Sequence, residues 1–223
     1  MTGPAAAERR VAATVHGTYL VAPPADGGAP TAAVVGFHGY GETAADHLAV
    51  LRRLPGAERW LLAAVQALHP FYRRDGGVVA SWMTSFDRER AIADNTRYAT
   101  AVLAELARDV PSVRRWALTG FSQGVAMAWR AAAAAPHPLH ALVVLAGDVP
   151  PDVAAAGLAG IPPVLLGRGT ADNWYTEEKL QADLALLAGH GVAADSHVFE
   201  GGHEWSPDFL ARAGGFLEDH LAE

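Results

Sequence analysis

The 223-residue chain contains no cysteine. That excludes disulfides, thiolate metal sites and a cysteine nucleophile. No basic cluster exceeds two residues and the formal charge is −7, which argues against a nucleic-acid partner. No apolar run reaches membrane-spanning length, so membrane insertion is not expected. The segment Met1–Ala13 carries Glu8, Arg9 and Arg10 and lacks a long apolar stretch. It does not read as a signal peptide, and the expected location is cytoplasmic. No internal repeat is visible. Ten histidines raise the question of a metal. However, His203-Glu204-Trp205-Ser206-Pro207 lacks the second histidine of a helical His-Glu-x-x-His site and holds a helix-breaking proline. His137-Pro138-Leu139-His140 is likewise interrupted by proline. Neither a metal nor a cofactor is expected.

Half the residues are hydrophobic, enough to bury the core of one sizeable domain, expected over residues 1–223. Val11 to Val21 suggests two short antiparallel strands broken near Gly17, followed by a Pro/Gly-rich loop from Pro23 to Pro30. Strands and helices then alternate. Apolar runs at Ala32–Phe37, Trp60–Val65, Trp116–Thr119, Ala141–Leu145, Val164–Leu166 and Ser196–Phe199 read as strands. Helices are expected near Ala44–Arg53, Arg88–Arg108, after Ser122, Glu177–Ala188 and Pro207–Leu221. In the second of these, Ile92, Ala99, Leu103 and Leu106 share one face. The alternation implies an α/β fold: a mainly parallel sheet with helices on both faces. Intervals between the strands are mostly too short for a separate cap domain.

The chemistry concentrates at Gly120-Phe121-Ser122-Gln123-Gly124, between an apolar run and a predicted helix. A serine on such a turn is squeezed between strand and helix, its flanks must be small, and the helix N-terminus offers free N–H groups to a developing negative charge. A serine can also sit there simply as a helix N-cap. A nucleophilic serine needs a base and an orienting carboxylate. Asp172 and His203 each follow a strand-like run and a glycine-punctuated turn. Taken singly, Asp172 also fits a turn-capping role and His203 a surface loop. The order Ser, Asp, His is that of the α/β-hydrolases. Ligands in such sheets lie beyond the carboxyl ends of the strands, where Ser122, Asp172, His203 and Tyr40 can converge.

With these residues the chain resembles the phospholipase/carboxylesterase family of small α/β-hydrolases, which includes bacterial carboxylesterases and acyl-protein thioesterases. The resemblance runs from about Thr31 to the end, on His38-Gly39-Tyr40-Gly41-Glu42, Gly120-Phe121-Ser122-Gln123-Gly124, Gly169-Thr170-Ala171-Asp172 and Gly201-Gly202-His203-Glu204. It implies Ser122 as nucleophile, His203 as base, Asp172 as its orienter, and the backbone N–H groups of Tyr40 and Gln123 as the oxyanion hole. It also allows a homodimer. Tyr40, Glu42, Arg168 and Asn173-Trp174-Tyr175 depart from the usual pattern. The implied activity is hydrolysis of small-molecule esters through an acyl-enzyme. A thioesterase or lysophospholipase, or a non-catalytic binder keeping the fold, are the alternatives. An aspartate-nucleophile enzyme is excluded by Ser122.

The long segment Ala67–Phe86 holds Phe71, Tyr72, Trp82 and Phe86. Its aromatics are expected either to wall the substrate pocket, Trp82 foremost, or to pack the loop onto the body. Trp174 is expected either to narrow the entrance or to pack its loop on the next helix. A pocket so walled is expected to be shallow and apolar and to favour short to medium acyl chains.

Overall fold

The computed structural model describes residues 6–222, so the first five residues of Met1–Ala13 lie outside it. The elements in chain order are β1 (Tyr19–Ala22), β2 (Ala32–Phe37), α1 (Ala44–Leu51), β3 (Leu61–Val65), β4 (His69–Tyr72), β5 (Val78–Ser81), α2 (Arg88–Asp109), β6 (Arg115–Phe121), α3 (Gln123–Ala133), β7 (Ala141–Leu145), α4 (Pro151–Ala156), β8 (Val164–Gly169), α5 (Glu177–Gly189), β9 (Ala194–Phe199) and α6 (Pro207–Leu221). Seven strands form one sheet in the order β1-β3-β2-β6-β7-β8-β9. Only β1 is antiparallel to its neighbour; every other pairing is parallel.

Fully apolar strands such as β2 and β7 need cover on both faces. Along β2, Ala33, Val35 and Phe37 join the core layer beneath α2, α3 and α5, while Ala32 and Val34 join the opposite layer beneath α1 and α6. The chain leaves β2 toward β3 on one side and later crosses to β6 on the other. The carboxyl ends of β2 and β6 therefore flank the crevice where the strand order reverses, which is the ligand position in sheets of this kind. His38–Tyr40 follow β2 and Ser122 follows β6.

Two local readings are corrected, and one short helix had no counterpart in the sequence reading. The two strands expected within Val11–Val21 reduce to β1, because the edge of β3 accepts only Tyr19–Ala22. The residues before β1 are tied instead by the Tyr98 hydroxyl, which donates to the Thr18 carbonyl at 2.6 Å. Ala67–Phe86 is not a plain loop: β4 and β5 form a hairpin closed by Asp75-Gly76-Gly77, with Gly76 at φ +84°. Finally, α4 follows Pro150 and lasts six residues, too short to show a periodicity.

One buried titratable group belongs to the scaffold. His47, on α1, packs where a Cβ on Gly36 would stand, with Nε2 3.1 Å from the Thr119 hydroxyl. Burial, with a smaller contribution from neighbouring His38, pushes its pKa down to about 3. The folded value lies below the unfolded one. Its contribution is therefore complete above about pH 6.5 and is lost as pH falls from there through about 3. Burial lowers His38 as well, in the same direction. Between pH 7 and pH 5, His47 should cost on the order of 2 kcal/mol of unfolding free energy. Denaturant titrations at the two pH values should show a correspondingly smaller loss for His47→Gln. An equal loss in both proteins would assign the acid sensitivity to another group.

Candidate active site

The turn after β6 is built by close backbone approach. A Cβ on Gly120 would lie 2.7 Å from the Gly124 carbonyl oxygen, and one on Gly124 would run into the carbonyl oxygens of Phe37 and His38. With glycine at both positions, α3 starts directly against the end of β2. The residue between strand and helix is forced to φ +52°, ψ −118°, a region that L-residues rarely occupy. That residue is Ser122. Its N–H is held by the Leu145 carbonyl at 2.9 Å, and its side chain makes no capping bond to the helix. The hydroxyl is thus free of the N-cap role that the sequence alone also allowed.

Ser122 Oγ lies 2.7 Å from His203 Nε2, and His203 Nδ1 lies 2.9 Å from Asp172 Oδ2. The histidine comes from the loop after β9 and the aspartate from the loop after β8. Phe121 packs beside the imidazole, ring centroids 5.1 Å apart. The Asp172 side chain has no exposed surface, while that of His203 is partly open. The other carboxylate oxygen, Oδ1, accepts the N–H groups of Trp174 at 2.8 Å and Tyr175 at 3.1 Å. Asp172 therefore caps its own turn with one oxygen while the other faces His203. Buried Arg168 braces the same loop by donating to the carbonyls of Tyr175 and Thr170 and pairing with Glu177 at 2.7 Å. From α5, buried Asp183 accepts the Tyr175 hydroxyl at 2.8 Å. Burial pushes this carboxyl up to about 6.

The backbone N–H groups of Tyr40 and Gln123 donate to no other group among the described residues. Gln123 is the first residue of α3, where no intrahelical partner exists. The Tyr40 loop is held from several sides. Glu42 accepts the Gly39 N–H at 2.7 Å, and burial, only partly offset by that bond, raises its carboxyl. The hairpin braces the loop through Gly41 N–H to Ala80 O and Ala80 N–H to Glu42 O, both 3.0 Å. His38 Nε2 accepts the Ala67 N–H at 3.1 Å, which leaves Nδ1 to donate to the Gly39 carbonyl at 2.7 Å.

The indole N–H of Trp82 donates to the His38 carbonyl at 2.8 Å. The Trp82 backbone is fixed in turn. Its N–H reaches the Gln123 side-chain oxygen at 2.8 Å, and its carbonyl accepts from buried Asn95 at 2.7 Å. The Gln123 amide also donates to the Met83 carbonyl at 2.8 Å. None of these supports was read from sequence. Asn95 left a signal, since it is an amide lying between Ile92 and Ala99 on the apolar face of α2, where it needs buried partners.

The cleft beside Ser122 has a volume of about 340 Å³ and is lined by Met83, Thr84, Ser85, Arg88, Gln123, Ala126 and Asp148 as well as the serine. The four aromatics expected to contact substrate lie elsewhere. Trp82 is 0% exposed, and a side chain without surface cannot wall a cleft; it supports the Tyr40 loop from behind. Phe71 stacks on Tyr40 with centroids 5.4 Å apart. Tyr72 and Trp174 are exposed at 78% and 77%, and neither lines this cleft. The buried aromatic of the acid loop is Tyr175 rather than Trp174. The expected apolar wall is thus replaced by a largely polar one. Among the described residues no group of three or more His, Asp or Glu side chains is placed to hold a metal ion. No helix among them is long and apolar enough to cross a membrane.

The family model described as Phospholipase/Carboxylesterase matches residues 21–221. Among solved structures, esterase PE8 is 28% identical, with 92% of this chain and 100% of that one covered and a TM-score of 0.73. A carboxylesterase from Mesorhizobium loti is 22% identical, covering 91% and 95%, with a TM-score of 0.75. Zea mays acyl-protein thioesterase 2 is 22% identical, covering 93% and 100%, with a TM-score of 0.67. No curated relative matches the chain significantly. With the family model spanning nearly all of the chain, this protein belongs to the phospholipase/carboxylesterase family and is a serine hydrolase of the α/β-hydrolase fold.

Proposed function

We propose that the chain forms one catalytic domain that hydrolyses carboxylic esters of short to medium acyl chain, with Ser122 as nucleophile, His203 as general base and Asp172 as its orienting acid. The reading rests on the continuous line of hydrogen bonds Ser122 Oγ–His203 Nε2 and His203 Nδ1–Asp172 Oδ2, 2.7 and 2.9 Å. With the Nδ1 proton directed at Asp172, Nε2 presents a lone pair to the serine hydroxyl. As Oγ attacks the acyl carbonyl, the proton passes to Nε2 and then to the leaving alcohol, and the buried carboxylate stabilises the imidazolium. The oxyanion is received by the Tyr40 and Gln123 N–H groups, each worth about 3–4 kcal/mol in such sites. Water then repeats the attack on the acyl-enzyme. The small cleft supports the acyl range. Each methylene gains about 0.8 kcal/mol only while it finds apolar surface to cover, and here Met83 and Ala126 are the apolar lining. A long acyl thioester, the substrate of the alternative reading, would leave most of its chain uncovered.

Ser122→Ala should reduce ester turnover at least about a thousandfold with the fold retained, His203→Ala should cost nearly as much, and the double variant scarcely more. Losses that add in the double variant would indicate separate roles.

Asp172→Asn keeps an oxygen for the Trp174 and Tyr175 N–H groups, so thermal stability should change little. Its NH2 would face His203 Nδ1 and shift the imidazole proton to Nε2, lowering kcat by about 10³–10⁴-fold. Normal turnover here beside an inactive Asp148→Asn would move the acid to Asp148.

Trp82→Phe removes the donor to the His38 carbonyl and leaves most of the ring. We expect kcat to fall about tenfold, the scale of one positioning hydrogen bond, with KM near the wild-type value. A change in KM alone would contradict a positioning role for Trp82.

A further inference from the structure

Asp148, Asp152 and Asp87, the aspartates around the Ser122 cleft, each have an ion-pair partner other than Arg88, which adds only a weaker, longer-range attraction to Asp152. Asp148 pairs with Lys179 at 3.3 Å. Asp152 is held by buried Arg130 through two bonds of 2.8 and 2.7 Å. Asp87 faces Arg90 and Arg10 at 3.7 and 3.4 Å. Arg88, on the first turn of α2, lines the same cleft as the serine, and its side chain makes no ion pair or hydrogen bond among the described residues. The exposed pair Arg73-Arg74 is not an equivalent: Arg73 is engaged by Asp75 at 3.0 Å in the hairpin turn, and neither arginine lines the cleft. In a protein of net charge −7, the wall beside the nucleophile thus holds a guanidinium without a hydrogen-bonded or ion-paired partner.

We infer that Arg88 is a specificity residue that receives a carboxylate on the substrate, so that the favoured esters carry a free carboxylate within a few bonds of the scissile carbonyl. A guanidinium presents two parallel donors that match a carboxylate, and it stays protonated at any pH the enzyme meets. The rest of the lining agrees. Thr84 and Ser85 suit a polar substituent, and the apolar side chains Met83 and Ala126 are few. The inference rests on the serine-hydrolase reading of Ser122 and adds the substrate class to it. It leaves open which half of the ester bears the charge, so the test addresses both.

Two matched pairs serve. 4-Acetoxybenzoate against its methyl ester places the carboxylate on the leaving group. Monomethyl adipate against methyl hexanoate places it on the acyl group. In at least one pair the wild-type enzyme should show kcat/KM about tenfold or more higher for the charged ester, the size of one hydrogen bond to a charged group. In Arg88→Gln that ratio should collapse toward one, while in Arg73→Gln it should persist. No preference in either pair, or a preference that survives in Arg88→Gln, overturns the inference. A preference for acetylcholine over the charged members of both pairs overturns it too, since that would make Asp148 the recognising charge. Turnover without preference removes this inference alone, whereas no turnover of any ester removes the hydrolase reading with it.

Discussion

Gly124 lies against the carbonyl oxygens of Phe37 and His38 with no room for a Cβ, and the candidate site depends on that approach. It fixes the start of α3 at the end of β2, where the strand order reverses. The chain must then pass from β6 into α3 through a residue at positive φ, and Ser122 is that residue. The same approach sets the free N–H of Gln123 near the loop that carries the free N–H of Tyr40. A strained serine and two unengaged donors thus follow from one contact between backbones. Such strain persists only where the surroundings over-determine it. Here the Leu145 carbonyl on the Ser122 N–H and the packing of α3 on β6 and β7 supply that restraint.

Two loops facing this elbow are held from behind in different ways. The Tyr40 loop is fixed mainly by uncharged partners, buried His38, the indole of Trp82 and Asn95 behind it, with the Glu42 carboxyl on the Gly39 N–H as the one acidic group. The acid loop is fixed by charged groups, with Arg168 gathering its carbonyls and Asp183 holding Tyr175. The difference suits the chemistry proposed. A site that stabilises a transient oxyanion gains from nearby donors carrying no competing net charge. A carboxylate that must stay oriented through proton transfer gains from a rigid shell. Arg168, a departure from the family pattern at sequence level, becomes intelligible as part of that shell.

The fold was legible because the central strands β2, β3 and β7 are apolar runs separated by helix-length segments, of which α2 has a clear periodic face. Ser122, Asp172 and His203 stood out as candidates because they sit in glycine-punctuated turns at strand ends, and their order along the chain restricts the fold. The aromatics of Ala67–Phe86 were not. Composition could say that Trp82 lies near the site, but not whether its ring faces the cleft or the core. The hairpin decides that: β5 turns Trp82 inward onto Phe37 and His38. The Asp75-Gly76 turn marked this hairpin in the sequence. Arg88 was hidden for the opposite reason. An exposed arginine in the first turn of a helix carries no distinguishing mark until its neighbours' charges have been paired off in space.

If Ser122 is a nucleophile activated by His203, covalent labelling reports it without any assumption about substrate. The protein is incubated with a fluorophosphonate, and the intact mass and the modified peptide are determined. One adduct per chain is expected, located on Ser122, formed rapidly in the wild type and far more slowly in His203→Ala. A folded wild-type protein that stays unlabelled, or one labelled on another residue, would contradict the nucleophile role of Ser122.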